Sequence, residues 1–101
     1  MKCYISGKIS GLPTEQVTAK FRQAELQIRA FGHEPVNPLY NGVDKEASWN
    51  EHLVADIALL LECDAIYLLK DWQDSKGARI ENNIAEECGL EIIPQPQYAI
   101  F

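Results

Sequence analysis

Hydrophobic positions along the chain alternate between short apolar runs and longer stretches with helical spacing. Lys2 to Ser6 and Ala65 to Leu69 are short apolar runs that read as strands, and Leu90 to Ile93 reads as a fourth. His33 to Pro38 (HEPVNP) is a second strand broken by two prolines, which predicts an edge position. Between them lie helical stripes. Val17, Phe21, Ala24, Ile28 and Phe31 mark a first helix, with Thr14 as its N-cap and Gly32 closing it. Trp49, Leu53, Asp56, Ile57 and Leu60 mark a second, Trp49 to Leu61. A third runs from Gly77 to Cys88, with Gly89 as a left-handed cap.

Strands alternating with helices imply a mainly parallel four-stranded sheet with right-handed crossovers. The expected fold class is α/β, doubly wound and flavodoxin-like or Rossmann-like, with strand order 2-1-3-4 and helices on both faces. In such a sheet the ligand crevice lies beyond the carboxyl ends of the strands where their order reverses, here between strands one and three. The loops at that end are Ser6 to Pro13 and Lys70 to Lys76. Gly7 and Gly11 are expected to let a ligand approach the backbone. Ser75, Lys76 and Gly77 stand at a helix N-terminus, which suits a phosphate or carboxylate. Leu39 to Ser48 is a polar loop long enough to fold over a site, flanked by Asn37 and Asn50 as candidate hydrogen-bonding groups.

Two acidic residues break the helical pattern. Glu81, Ile84, Ala85 and Cys88 are spaced i, i+3, i+4, i+7, so a carboxylate lies in line with the face that packs on the sheet. Outward positions were available, and Asn82, Asn83, Glu86 and Glu87 are expected to fill them. Asp56 stands likewise on or beside the inward face of the second helix. Close to a helix N-terminus, Glu81 is expected to be ionised at neutral pH. A carboxylate is a suitable nucleophile for an anomeric carbon, and Asp56 is placed to orient a sugar or handle a proton on a leaving base.

Composition narrows this. With 101 residues and 47% hydrophobic content the chain fits one globular domain of modest core, residues 1–101, and a small domain favours oligomerisation to complete a site. Net charge is −6, from 15 acidic and 9 basic residues that do not cluster. That argues against a nucleic-acid backbone as partner but leaves a single nucleotide open. Neither a signal-peptide pattern nor an apolar run of 18 residues occurs, so a soluble, cytoplasmic protein with no membrane partner is expected. Cys3, Cys63 and Cys88 are expected to be buried thiols. Neither His33 nor His52 has a His or Cys partner at ligand spacing, so no metal and no cofactor is expected. Trp49 is expected in the core, whereas Trp72, in a loop, is a candidate to stack on a base. The apolar end of the tail, Pro94 to Phe101, is expected to pack on its own domain or on a neighbour.

Tyr4-Ile5-Ser6-Gly7, Asp56 and Ser75-Lys76-Gly77-Ala78-Arg79-Ile80-Glu81 together resemble the nucleoside 2-deoxyribosyltransferase superfamily, and within it a small bacterial and phage branch, the DUF4406 group. The resemblance runs from Met1 to about Ile93. It implies an enzyme of the deoxyribosyltransferase or deoxynucleoside 5′-monophosphate N-glycosidase type, acting without cofactor and assembled as a homo-oligomer, at least a dimer. By the same resemblance Gly77 and Glu81 match the element that carries the nucleophilic glutamate, Ser75 matches a serine for the 5′-phosphate, Asp56 an aspartate contacting sugar or base, and Tyr4 a tyrosine lining the base pocket. Ser6, Gly7, Lys8, Ile9 and Trp72 complete the expected substrate-binding set. Where the glycosidase branch has an arginine in the first loop this chain has Ser10, with Lys8 or Arg79 as candidate substitutes. A non-catalytic nucleotide-sensing module of the same fold is the alternative. A receiver-like or flavin-binding domain fits less well, because the end of strand one lacks an acidic pair opposite Asp71.

Overall fold

The computed structural model describes residues 1–96. Its four strands form one sheet in the order β2-β1-β3-β4, all neighbours parallel: β1 is Lys2–Ser6, β2 Glu34–Val36, β3 Ala65–Leu68 and β4 Glu91–Pro94. Between them come α1 (Thr14–Ala30), α2 (Trp49–Leu61) and α3 (Lys76–Glu87), as the alternating pattern predicts. β2 is shorter than expected and lies at an edge. Pro35 sits opposite Cys3, and Pro38 opens a 3₁₀ turn, Pro38–Tyr40, rather than continuing the strand.

The two-residue period of a strand divides the core into two layers. Cys3 and Ile5 of β1, with Ala65 and Tyr67 of β3, meet Val17, Phe21, Ala24 and Ile28 of α1. Tyr4 of β1, with Ile66 and Leu68 of β3, meets Leu60, Cys63 and Ala85 on the side of α2 and α3. By the same alternation Ser6 follows Tyr4 onto the α2–α3 side, and this parity aims both hydroxyls at one spot.

The helix ends depart from expectation in ways the backbone explains. Pro13 occupies the cap of α1 and Thr14 is already its first helical residue, so no side chain caps that helix. Ser48, in contrast, forms a full capping box with Glu51 and starts α2 at Trp49. Gly32 and Gly89 both adopt positive φ after α1 and α3. Phe31 and Cys88 sit at the caps beyond the last helical turns and are exposed, so Phe31 is not core and one of the three thiols is not buried. The expectation for the tail concerns, from residue 97 onward, positions outside the described residues. Among the described residues no helix is long and apolar enough to cross a membrane.

Candidate functional site

A cleft of about 910 Å³ opens at the carboxyl ends of β1 and β3, where the strand order reverses. Its walls come from the loop after β1, the start of α1, the loop 37–48, one side of α2, and the Ser75 end of α3. Glu81 forms part of this lining although the residue is only 6% exposed.

Glu81 is fixed from below. The Tyr4 hydroxyl donates to Oε2 at 2.6 Å and the Ser6 hydroxyl donates to Oε1 at 2.7 Å, so each carboxylate oxygen has one buried donor from the same strand. Burial pushes Glu81 from its ordinary 4.5 up to about 7; the two hydroxyls pull against that, and the Asp56 charge adds to it. The expectation that the helix dipole keeps Glu81 ionised at neutral pH is therefore corrected. Glu81 is the sixth residue of α3, beyond the first turn where the dipole acts, and desolvation prevails. Burial, then the neighbouring carboxylate, push the Tyr4 hydroxyl well above its ordinary 10, so the shared proton stays on the tyrosine. A Tyr4→Phe variant should accordingly lose about 2 kcal/mol at pH 8, where a donor to an ionised group disappears, and clearly less at pH 5. Urea unfolding at the two pH values measures this; an equal loss at both would contradict it.

Tyr4 and Ser6 are thus placed differently from their expected roles. Both are almost fully buried and hold the carboxylate, and neither contributes to the cleft lining. Asn82, expected to face outward, is also buried on α3, beside Ala78, Glu81 and Ala85.

Asp56 faces the cleft from α2 and is half-buried. Burial raises its carboxyl above the usual range, while a hydrogen bond from Asn41 and the nearby His52 pull it down. The Asn41 amide donates to Asp56 Oδ1 at 2.8 Å, which ties loop 37–48 to α2. Neither Asn41 nor His52 was singled out as a ligand-facing residue from the sequence. Both lie on the cleft wall, and the only signal was a polar loop ahead of a helix bearing an inward acid.

The loop after β1 contributes Gly7, Lys8 and Ile9 to the cleft. At Gly7 the reason for glycine is internal. A Cβ there would lie 2.6–2.9 Å from the Cδ1, Cβ and Cγ atoms of Leu69, so a neighbouring side chain of this protein, and no ligand, fills the space. Asp71 joins this loop to the one after β3: its Oδ1 accepts the Lys8 N–H at 3.0 Å and its Oδ2 pairs with the Lys20 ammonium. Ser75 caps α3, its hydroxyl accepting the Ala78 N–H at 3.1 Å, and lines the cleft with Lys76 and Gly77. A Cβ at Gly77 would make only ordinary contacts, 3.8 Å from Trp49 Cζ2, so packing does not demand that glycine.

The two tryptophans exchange their expected places. Trp72 packs against the core layer on the α2–α3 side and does not line the cleft, because the loop after β3 turns as a 3₁₀ helix, Trp72–Asp74, that folds its ring back onto the core. Trp49, first residue of α2, is 43% exposed on the cleft wall, with the Lys76 ammonium 5.2 Å from the centre of its ring. Asn37 caps the Pro38–Tyr40 turn through its side chain, and Asn50 is exposed on α2; neither lines the cleft. Among the described residues no group of three or more His, Cys, Asp or Glu side chains is arranged to hold a metal ion.

Residues 1–94 match the family described as Domain of unknown function (DUF4406). No curated protein matches the sequence. Among solved structures, the 2-desoxiribosyltransferase from Leishmania mexicana superposes with a TM-score of 0.71 at 18% identity, over 92% of this chain and 62% of that one. The 2-deoxyribosyltransferase from Bacillus psychrosaccharolyticus superposes with a TM-score of 0.68 at 17% identity, over 100% of this chain and 77% of that one. The chain therefore has the deoxyribosyltransferase fold, and it spans less than two thirds of the length of the Leishmania protein.

Proposed function

The chain belongs to the DUF4406 family, and from that premise we propose that it cleaves or transfers the N-glycosidic bond of a 2′-deoxynucleoside or its 5′-monophosphate, with Glu81 as nucleophile. One observation carries this reading: a carboxylate buried at a cleft, with a hydroxyl donor on each oxygen and, among the described residues, no cation paired to it. Two fixed donors orient the group, and the low-polarity surroundings leave it poorly solvated, hence reactive toward an electron-poor carbon. The deoxyribosyltransferase names of the two solved relatives support the same chemistry.

In this mechanism ionised Glu81 attacks C1′ as the bond from C1′ to the base nitrogen breaks, through an oxocarbenium-like state. The bonding electrons leave with the base, which takes up a proton, and the sugar remains as an ester on Glu81. Water or a second base then attacks C1′, breaks the ester and restores the carboxylate. Asp56 orients the sugar or base and accepts a proton at need. Ser75, with the backbone N–H groups of Lys76 and Gly77, receives the 5′-phosphate where one is present. The partner is thus a small nucleoside or nucleotide. The reading extends to a homo-oligomer, because α2 leaves Val54 and Leu61 exposed one above the other at i and i+7. A monomer by light scattering would remove that part.

The test is to incubate the protein with each deoxynucleoside and deoxynucleoside 5′-monophosphate and to look for free base by chromatography. Base release is expected in the wild type and not in Glu81→Ala. Its kcat/KM should rise with pH through about 7 as Glu81 ionises in the free protein. A ligand-induced rise in Tm without base release would favour a nucleotide-binding module in place of an enzyme.

A further inference from the structure

The Asn41 side chain uses three of its four hydrogen-bonding directions on three different partners. Its Oδ1 accepts the Val43 N–H at 2.9 Å, its Nδ2 donates to Asp56 Oδ1 at 2.8 Å, and the same Nδ2 lies 3.2 Å from His52 Nδ1. The Val43 bond fixes which way round the amide sits, because a backbone N–H needs the oxygen; the NH₂ group is then directed at α2. With one proton on Asp56, the other meets His52 Nδ1, which must accept it. A neutral imidazole whose Nδ1 accepts carries its proton on Nε2. Asp56 and His52 are four residues apart, one above the other on the cleft side of α2.

We propose that Asn41 is a positioning residue that holds Asp56 as an acceptor and His52 as an Nε2–H donor, so that this wall reads a donor beside an acceptor on the ligand. The amide-like edge of a nucleobase has that pattern, whereas a bare sugar hydroxyl does not present it in one plane. This rests on the nucleoside reading above. It assigns recognition of the base to the α2 wall and separates it from the chemistry at Glu81. The loop 37–48 thereby acts on the ligand through α2.

The tautomer is measurable without turnover. Long-range ¹⁵N–¹H spectra of the imidazoles at about pH 8 should find His52 as the Nε2–H form; the chain's other histidine, His33, is assigned with a His33→Gln variant. Asn41→Asp keeps the acceptor for Val43 but presents only oxygen to His52 and to Asp56; it should switch His52 to the Nδ1–H form, and the carboxylate set beside Asp56 should lower Tm. Asn41→Ala, whose loop loses one tie, should give a mixture. A wild-type His52 in the Nδ1–H form, or an Asn41→Asp variant with the tautomer unchanged, would overturn the assignment. For recognition, Asn41→Asp should raise KM for a released base at least tenfold and lower kcat less; a fall in kcat at constant KM would overturn the role in base reading. If the wild type releases no base, the glycosidic reading fails separately. The rise in Tm that deoxynucleoside 5′-monophosphates produce then serves as readout, and a rise undiminished in Asn41→Asp would also overturn the role in base reading.

Discussion

Replacing Glu81 by glutamine is expected to make the protein more stable above pH 7 while reducing base release at least a thousandfold. The folded-state pKa of Glu81 is raised from 4.5 to about 7, so between those values the native protein binds more protons than the unfolded chain. Stability from this group is therefore greatest below about pH 4.5 and falls as pH rises through 7. That rise in the Glu81 pKa corresponds to about 3 kcal/mol. Glutamine is neutral at every pH and keeps the shape, and Tyr4 and Ser6 can bond to its amide because a hydroxyl both donates and accepts. Near pH 5 the two proteins should match in urea unfolding; at pH 8 the Glu81→Gln variant should lead by 2–3 kcal/mol, on the order of that shift. A lead of this kind would mean that the wild type tolerates an unfavourable buried charge at the cleft, as a site selected for reactivity does. A variant less stable at pH 8, or one that retains the wild-type slope between pH 5 and 7, would show that Glu81 serves the fold instead.

The second large effect is at Gly7. An alanine Cβ would approach Leu69 Cβ to 2.8 Å, and that atom cannot swing aside by changing rotamer. Leu69 itself is 2% exposed in the α1 layer, so backbone must shift. Overpacking of this kind costs roughly 1–3 kcal/mol. Because the loop after β1 also bears Lys8 and Ile9, the same shift should weaken ligand binding. Leu69→Ala costs stability alone, through a cavity, yet in the Gly7→Ala background it removes the Cγ and Cδ1 contacts and leaves only the one to Cβ, so part of the clash is relieved. The double variant is then expected to be more stable than the sum of the single losses by about 1 kcal/mol. Strict additivity in urea unfolding would contradict the contact.

Much of this architecture was legible in the chain because its two periods are clean. Runs such as Ala65 to Leu69 and the stripe Val17, Phe21, Ala24, Ile28 leave little choice of element, and strand-helix alternation leaves few topologies. The cleft followed from the strand order, and the inward spacing of Glu81 and Asp56 followed from helical geometry. What periodicity could not give was which groups meet across elements. Tyr4 and Ser6 share a strand face, but only the packing of α3 on β1 turns that parity into two hydrogen bonds on one carboxylate. The ionisation of Glu81 is hidden from the sequence for the same reason, since its desolvation depends on side chains remote along the chain. Trp72 and Trp49 were exchanged because a loop aromatic and a helix-start aromatic look alike in sequence. A 3₁₀ turn and a capping box at Ser48 decide which ring reaches the cleft. Nothing in the sequence pairs Asn41 with His52, because the i+11 relation between a loop and a helix has no sequence signature.

The central claim is that the Glu81 carboxylate bonds to the sugar, and mass spectrometry of an acid-quenched turnover tests it most directly. The wild type, mixed with a deoxynucleoside 5′-monophosphate and quenched within the first turnovers, should carry a deoxyribosyl phosphate on the peptide containing Glu81, and Glu81→Gln should carry none. An adduct on Asp56, or base release by Glu81→Gln at the wild-type rate, would contradict the assignment.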